Sequence, residues 1–232
     1  MRDAGTRVDV RVAIVVWLAA WLVGQLASAA IATASGAEAS DELSIPTLAL
    51  AVSVTWIAYL AGMWAASDRA GSGRFVDDYG VRFAPVDLLG VPIGVLTQLV
   101  LAPLVYLPLR GVWPDTFSDD RLRETARDLT DRASGASVVL LVLIVAAGAP
   151  VVEELVYRGL LQGSFAARVN GTVAWIAASV WFTLVHFRPV EYPGLFAFAL
   201  VAGACALVTR RLGMSIATHV AFNTTGLVLA FG

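Results

Sequence analysis

Long stretches of this chain carry no charge, and that limits what it can fold into more than any other feature. Residues 136–150 contain no ionisable side chain, and comparable apolar blocks cover residues 12–34, 45–66, 86–109, 171–187, 194–209 and 214–231. About 20 residues at 1.5 Å per residue cross a hydrocarbon core roughly 30 Å thick. In lipid, the backbone must satisfy its own hydrogen bonds, so blocks without β alternation read as helices. The expected fold class is all-α: a polytopic transmembrane helical bundle of about seven spans plus an amphipathic surface helix. Composition agrees, with 58% hydrophobic and 15% charged residues, against about 25% charge in a soluble domain. The lipid bilayer is one expected partner. A net charge of −2 gives no support for nucleic acid as another.

Two regions are expected: N-terminal transmembrane helices with an amphipathic connector over residues 1–135, and a helical core that holds the polar motifs described below over residues 136–232. Arg2, Arg7 and Arg11 precede the first apolar block. Ala27-Ser28-Ala29 resembles a signal-peptide cleavage site, but such starts in polytopic chains are usually retained as first spans. A linker with Glu38, Asp41 and Glu42 follows, then a second span with Trp56, Tyr59 and Trp64 as interface anchors. The third block contains Pro92, Pro103 and Pro108; it is long enough to span but should be kinked, and a partly re-entrant course is the alternative.

In the polar stretch 110–134, Ser118 is a candidate N-cap before Asp119 and Asp120. Leu122, Ala126, Leu129 and Ala133 share a face, and Asp119–Arg123 and Asp128–Arg132 have i,i+4 spacing. A helix on the membrane surface and a solvated connector fit this pattern equally well.

All sixteen basic residues are arginine, which hints at a high-GC, bacterial source. Seven crossings would put arginines 2, 7, 11, 69, 74, 82, 168, 210 and 211 on one side and 110, 121, 123, 127, 132 and 188 on the other. The first, richer side is expected to be cytoplasmic, with the N-terminus there, in a bacterial cytoplasmic membrane. The lone Cys205 cannot form an intrachain disulfide.

Against this apolar background stands Glu153-Glu154-x-x-x-Arg158. A charge at the bilayer centre costs roughly 2.5–3.5 kcal/mol on insertion scales. Glu154 and Arg158 have the favourable order for an i,i+4 ion pair. Glu153 has no cation at i±3 or i±4, and an unpaired buried carboxylate is a candidate general base or metal ligand. Pro150, one turn earlier, should kink the helix and leave the Ala146 carbonyl without a donor. The only two histidines also lie in apolar runs: His186 one turn after Phe182, and His219 one turn before Asn223. Taken singly, each has a bland reading, an interfacial histidine or a polar tie between helices. Gly159-x-x-x-Gly163 and Ala202-Gly203-Ala204 would let helices approach closely.

Glu153-Glu154-x-x-x-Arg158, Phe182-x-x-x-His186 and His219-x-x-x-Asn223, in that order, resemble the CPBP family, the CAAX-processing and bacteriocin-processing intramembrane proteases also called the Abi family. The resemblance covers about residues 136–232. It implies an intramembrane endopeptidase that acts on a membrane-associated peptide or protein. On that resemblance Glu153 activates water with help from His186, while His219 and Asn223 hold the oxyanion. Glu154 and Arg158, with Phe182 beside them, support the site. The family is described both as glutamate-dependent and as metallo-type. In the second form His186, His219 and Glu153 would be the ligands of a divalent metal such as zinc, although no HExxH pair is present. The rival readings are a haem protein, which leaves Glu153 unused, a proton-coupled transporter, and a non-catalytic immunity or scaffold member of the family.

Overall fold

A computed structural model describes residues 8–36 and 43–232. Arg2, Arg7 and the linker acids Glu38, Asp41 and Glu42 lie outside the described residues. The helices are α1 (Val10–Ser35), α2 (Ile45–Ala70), α3 (Pro85–Val112), α4 (Asp119–Asp131), α5 (Ala136–Ala166), α6 (Gly171–Leu184), α7 (Tyr192–Thr209) and α8 (Gly213–Phe231). No strand occurs among the described residues. Six helices, α1, α2, α3, α5, α7 and α8, are long and apolar enough to cross a membrane.

The fifth expected span, the one not among these six, is shorter than its apolar run. α6 has 14 residues, about 21 Å of helix. Beyond Leu184 the chain tightens: the N–H groups of His186 and Phe187 bond to the carbonyls of Thr183 and Leu184. Phe187 then takes the left-handed conformation, with φ +52°.

Contacts at the two ends sort the loops. At one end Arg168 pairs with Asp9, Arg211 with Asp87 at 2.8 Å, and the N–H groups of Leu212 and Gly213 bond to the carbonyls of Gly80 and Arg82. The Arg11 N–H and the Arg168 guanidinium together lower the pKa of Asp9. At the other end Arg132 donates to the Leu43 carbonyl, Tyr106 to the Val190 carbonyl, and Arg110 to Asp119. α3 begins at the first end and finishes at the second, so it runs through the bundle and is not re-entrant.

Two of the prolines behave alike. Ala102-Pro103 and Ala149-Pro150 each follow a π-helical segment, Thr97–Leu101 and Leu143–Gly148. A proline ring clashes with the carbonyl four residues back. Widening the preceding turn to i→i+5 bonding lets the helix pass the ring, and such π segments are frequent at functional sites.

The cap at Ser118 is present: its side chain accepts from the Arg121 N–H. The expected Asp119–Arg123 pair is replaced, since Asp119 meets Arg110 at 2.6 Å and Asp120 meets Arg127 at 3.0 Å. Exposed i,i+4 pairs stabilise a helix by only a few tenths of a kcal/mol, so equivalent partners displace them easily. Arg132, expected opposite the Asp128 carboxylate, donates to the backbone carbonyl of Asp128. Leu129 and Ala133 pack on Ile45, Leu141 and Leu227, so the apolar face of α4 is docked on the bundle.

In α2, Trp64 is 60% exposed as an anchor would be. Tyr59 is instead buried against Trp17, because it faces α1 rather than lipid. A close helix approach uses Gly90 and Gly94 on α3. A Cβ on Gly94 would lie 2.2 Å from the Thr218 carbonyl oxygen of α8. Gly159 faces the Tyr79 loop rather than another long helix, whereas Gly203 faces Trp175 of α6 and Gln162 of α5, the close approach expected of it.

Candidate active site

The three sequence motifs come together around one phenyl ring, that of Phe182 on α6. It is 1% exposed and packs edge-on to Tyr157 and His219 at centroid distances of 5.1 and 6.0 Å. The His186 ring lies 4.7 Å away. The Arg158 guanidinium sits 4.7 Å over Phe182 and 5.9 Å from Phe198 of α7. Phe198 also packs on His219 at 4.6 Å. α5, α6, α7 and α8 therefore each contribute one side of the site.

The Glu154–Arg158 pair forms as expected. Arg158 Nη1 donates to Glu154 Oε1 at 2.9 Å, with side-chain exposures of 2% and 0%. Its Nη2 donates to the Ala199 carbonyl at 3.2 Å. An ion pair this deep needs both partners, because leaving one charge alone costs about 3–5 kcal/mol. The aromatic rings on the guanidinium add a cation–π attraction of up to about 2 kcal/mol once water is excluded.

His219 links the two glutamates. Its Nδ1 lies 2.8 Å from Glu154 Oε1 and its Nε2 lies 3.8 Å from Glu153 Oε2. Glu154 thus has a second role beyond pairing with Arg158: it orients the imidazole and leaves Nε2 facing Glu153. Glu153 is the accessible carboxylate, its side chain 30% exposed. A polar gap of 3.8 Å is too long for a direct hydrogen bond and suits a water bonded to both groups.

His186 and Asn223 are placed differently from the expectation. His186 Nδ1 lies 2.7 Å from the Phe182 carbonyl of its own helix. A carbonyl only accepts, so Nδ1 carries the proton and Nε2 is the open atom. Asn223 Nδ2 donates to the Val145 carbonyl at 2.8 Å. The π register explains that bond. The Ala149 N–H reaches back five residues to Ile144, so the next donor in register, for Val145, would come from Pro150, which has none. The orphaned carbonyl is therefore that of Val145 rather than Ala146, and α8 supplies the missing donor. One N–H of the Asn223 amide remains for other use.

Residues 135–225 match a family model described as type II CAAX prenyl endopeptidase Rce1-like. Over this stretch the chain is similar to that family. The resemblance to the CPBP family is borne out over it, and it contains every residue of the three motifs. No curated protein and no solved structure matches the chain.

Sequence reasoning missed several contributors to the Rce1-like site. Phe198 and the Ala199 carbonyl lie in an apolar block that gives no sign of them. The Glu154–His219 bond joins residues 65 apart in the chain. Away from the site, Asp87, a lone acid within the third block, was a visible signal: it is fully buried and ties the start of α3 to Arg211, just before α8.

The described residues gather no group of three or more His, Cys, Asp and Glu side chains that could hold a metal ion. The expected set of His186, His219 and Glu153 is not gathered into such a group, although the Nδ1 bonds of both histidines leave their Nε2 atoms open, as in a ligating histidine. The chemistry below is therefore written on glutamate and histidine. Two surface grooves, between α1 and α2 and between α3 and α8, are apolar, and none of the motif side chains lines them.

Proposed function

We propose that this chain is an intramembrane endopeptidase of the CAAX-processing type, hydrolysing a peptide bond of a membrane-associated peptide or protein near the membrane surface. The observation that carries this reading is the Glu153–His219–Glu154 arrangement, with His219 Nε2 and Glu153 Oε2 3.8 Å apart in the Rce1-like segment. Glu153 is the general base: it takes a proton from water as the water oxygen attacks the scissile carbonyl. His219, held at Nδ1 by Glu154, acts through Nε2, which in the protonated imidazole donates to the developing oxyanion. The second Asn223 N–H adds a neutral donor. As the carbon–nitrogen bond breaks, Glu153 returns its proton to the leaving amine. His186 presents Nε2 as a second proton acceptor. Phe182, Phe198 and Arg158 hold these groups in a water-poor setting, where each electrostatic contact is stronger than in water.

The reading places the protein in a bacterial cytoplasmic membrane, with the arginine-richer end and the N-terminus in the cytoplasm. It is tested by comparing terminal peptides in membranes from cells that express the unaltered protein or Glu153→Gln. New termini should appear only with the unaltered protein. Equal cleavage by purified Glu153→Gln protein would sink the mechanism.

A further inference from the structure

The loop after α6 carries His186 and is held under constraint. Phe187, the next residue, has φ +52°, a conformation that costs a non-glycine residue about 1–3 kcal/mol and persists only where its surroundings over-determine it. Several contacts impose it. Tyr106 of α3 donates to the Val190 carbonyl and accepts from the Gly194 N–H. The Tyr192 hydroxyl bonds to the Leu184 carbonyl. The Phe187 ring packs against Trp21 at 6.4 Å.

One further contact comes from outside the long apolar helices. The Thr125 hydroxyl of α4 accepts from Arg188 Nη1 at 2.5 Å and donates to Glu191 Oε1 at 2.6 Å. Arg188 and Glu191 themselves approach only to 3.9 Å. A single hydroxyl therefore uses its donor and acceptor capacities at once to join two opposite charges on either side of the loop. Thr125 is half-buried on a helix whose apolar face is docked on the bundle, so the anchor is itself fixed.

We propose that Thr125 is a positioning residue for the reaction: through Arg188 and Glu191 it holds the 185–191 loop so that His186 keeps its place on Phe182 with Nε2 open. This rests on the proteolytic reading of the site, and it gives α4 a part in that reaction although α4 lies outside the Rce1-like segment. The variant pair is Thr125→Val, which keeps the shape and removes the hydroxyl, and Thr125→Ser, which keeps the hydroxyl.

The test has two readouts on the full-length protein. Nitrogen-15 spectra of histidine-labelled protein report His186 directly, because the chain has two histidines and His219→Gln identifies the other. Cleavage of a fluorogenic CAAX-type peptide gives kcat and KM. Thr125→Val should shift the His186 signals, speed amide exchange across residues 186–191, and lower kcat about 10- to 100-fold with KM little changed. Thr125→Ser should restore all three.

Unchanged His186 signals in Thr125→Val overturn the proposal, and so does a shifted signal with full kcat. If the unaltered protein cleaves nothing, the proteolytic reading of the site fails. The loop-holding role of Thr125 is then decided by the His186 signals alone.

Discussion

At the scale of single residues, the two adjacent glutamates have been given different work by their surroundings. Glu154 is sealed between Arg158 and His219, whereas the Glu153 side chain remains 30% exposed. Their substitutions should separate accordingly. Glu153→Gln is expected to abolish cleavage while the thermal midpoint in detergent stays close to that of the unaltered protein. Arg158→Met leaves Glu154 buried without its cation and should destabilise the fold by about 3–5 kcal/mol, seen as a large drop in that midpoint. Pairing Arg158→Met with Glu154→Gln should recover much of the loss, because no uncompensated charge remains. The Glu154–Arg158 pair was legible from i,i+4 spacing alone. The bond from His219 to Glu154 was not, since spacing along one helix says nothing about which face a distant helix presents.

At the scale of elements, close packing rests on glycines that the sequence pattern did not single out. Gly90 and Gly94 let α3 lie against the backbone of α8, and Gly94→Ala would drive a methyl group to 2.2 Å from the Thr218 carbonyl oxygen. Relief requires α3 and α8 to move apart, and His219 is on α8. Gly94→Ala is therefore expected to lower both the thermal midpoint and cleavage, with a stability loss of about 1–3 kcal/mol for overpacking. Asn223→Ala should cost about 1–3 kcal/mol by leaving the Val145 carbonyl buried and unpaired, measurable by chemical denaturation in micelles. Helix existence was readable almost everywhere from apolar run length. α6 was overestimated, because residues 185–187 are as apolar as a span while the backbone there has already turned. Hydropathy registers side chains and is blind to that.

At the scale of the whole molecule, the contacts at the two ends divide the arginines as alternate crossing predicts. Arg11, Arg82, Arg168 and Arg211 gather at one end, and Arg110, Arg132 and Arg188 at the other. This partition treats the 14-residue α6 as a crossing, and it can be checked directly. The native Cys205 is buried, so cysteines introduced at Arg74 and Arg188 should react with an impermeant maleimide from opposite faces of sealed vesicles. Labelling of both from the same face would contradict the arrangement. Run lengths and charge gave this global order because both follow from the bilayer as solvent. The docking of α4 depends on side-chain detail at Leu129 and Thr125, and its sequence fitted a free surface helix equally well.

The bond from Asn223 to the Val145 carbonyl has a mechanical consequence. Asn223 lies one turn from His219, and Val145 lies on the helix that carries Glu153. The proline-weakened helix and α8 are thus riveted together beside the place where their reactive groups meet. A displacement of α5 at that point is passed to α8 through this bond, so the two helices share one frame of reference and the spacing between Glu153 and His219 is protected from the weakness that the proline introduces.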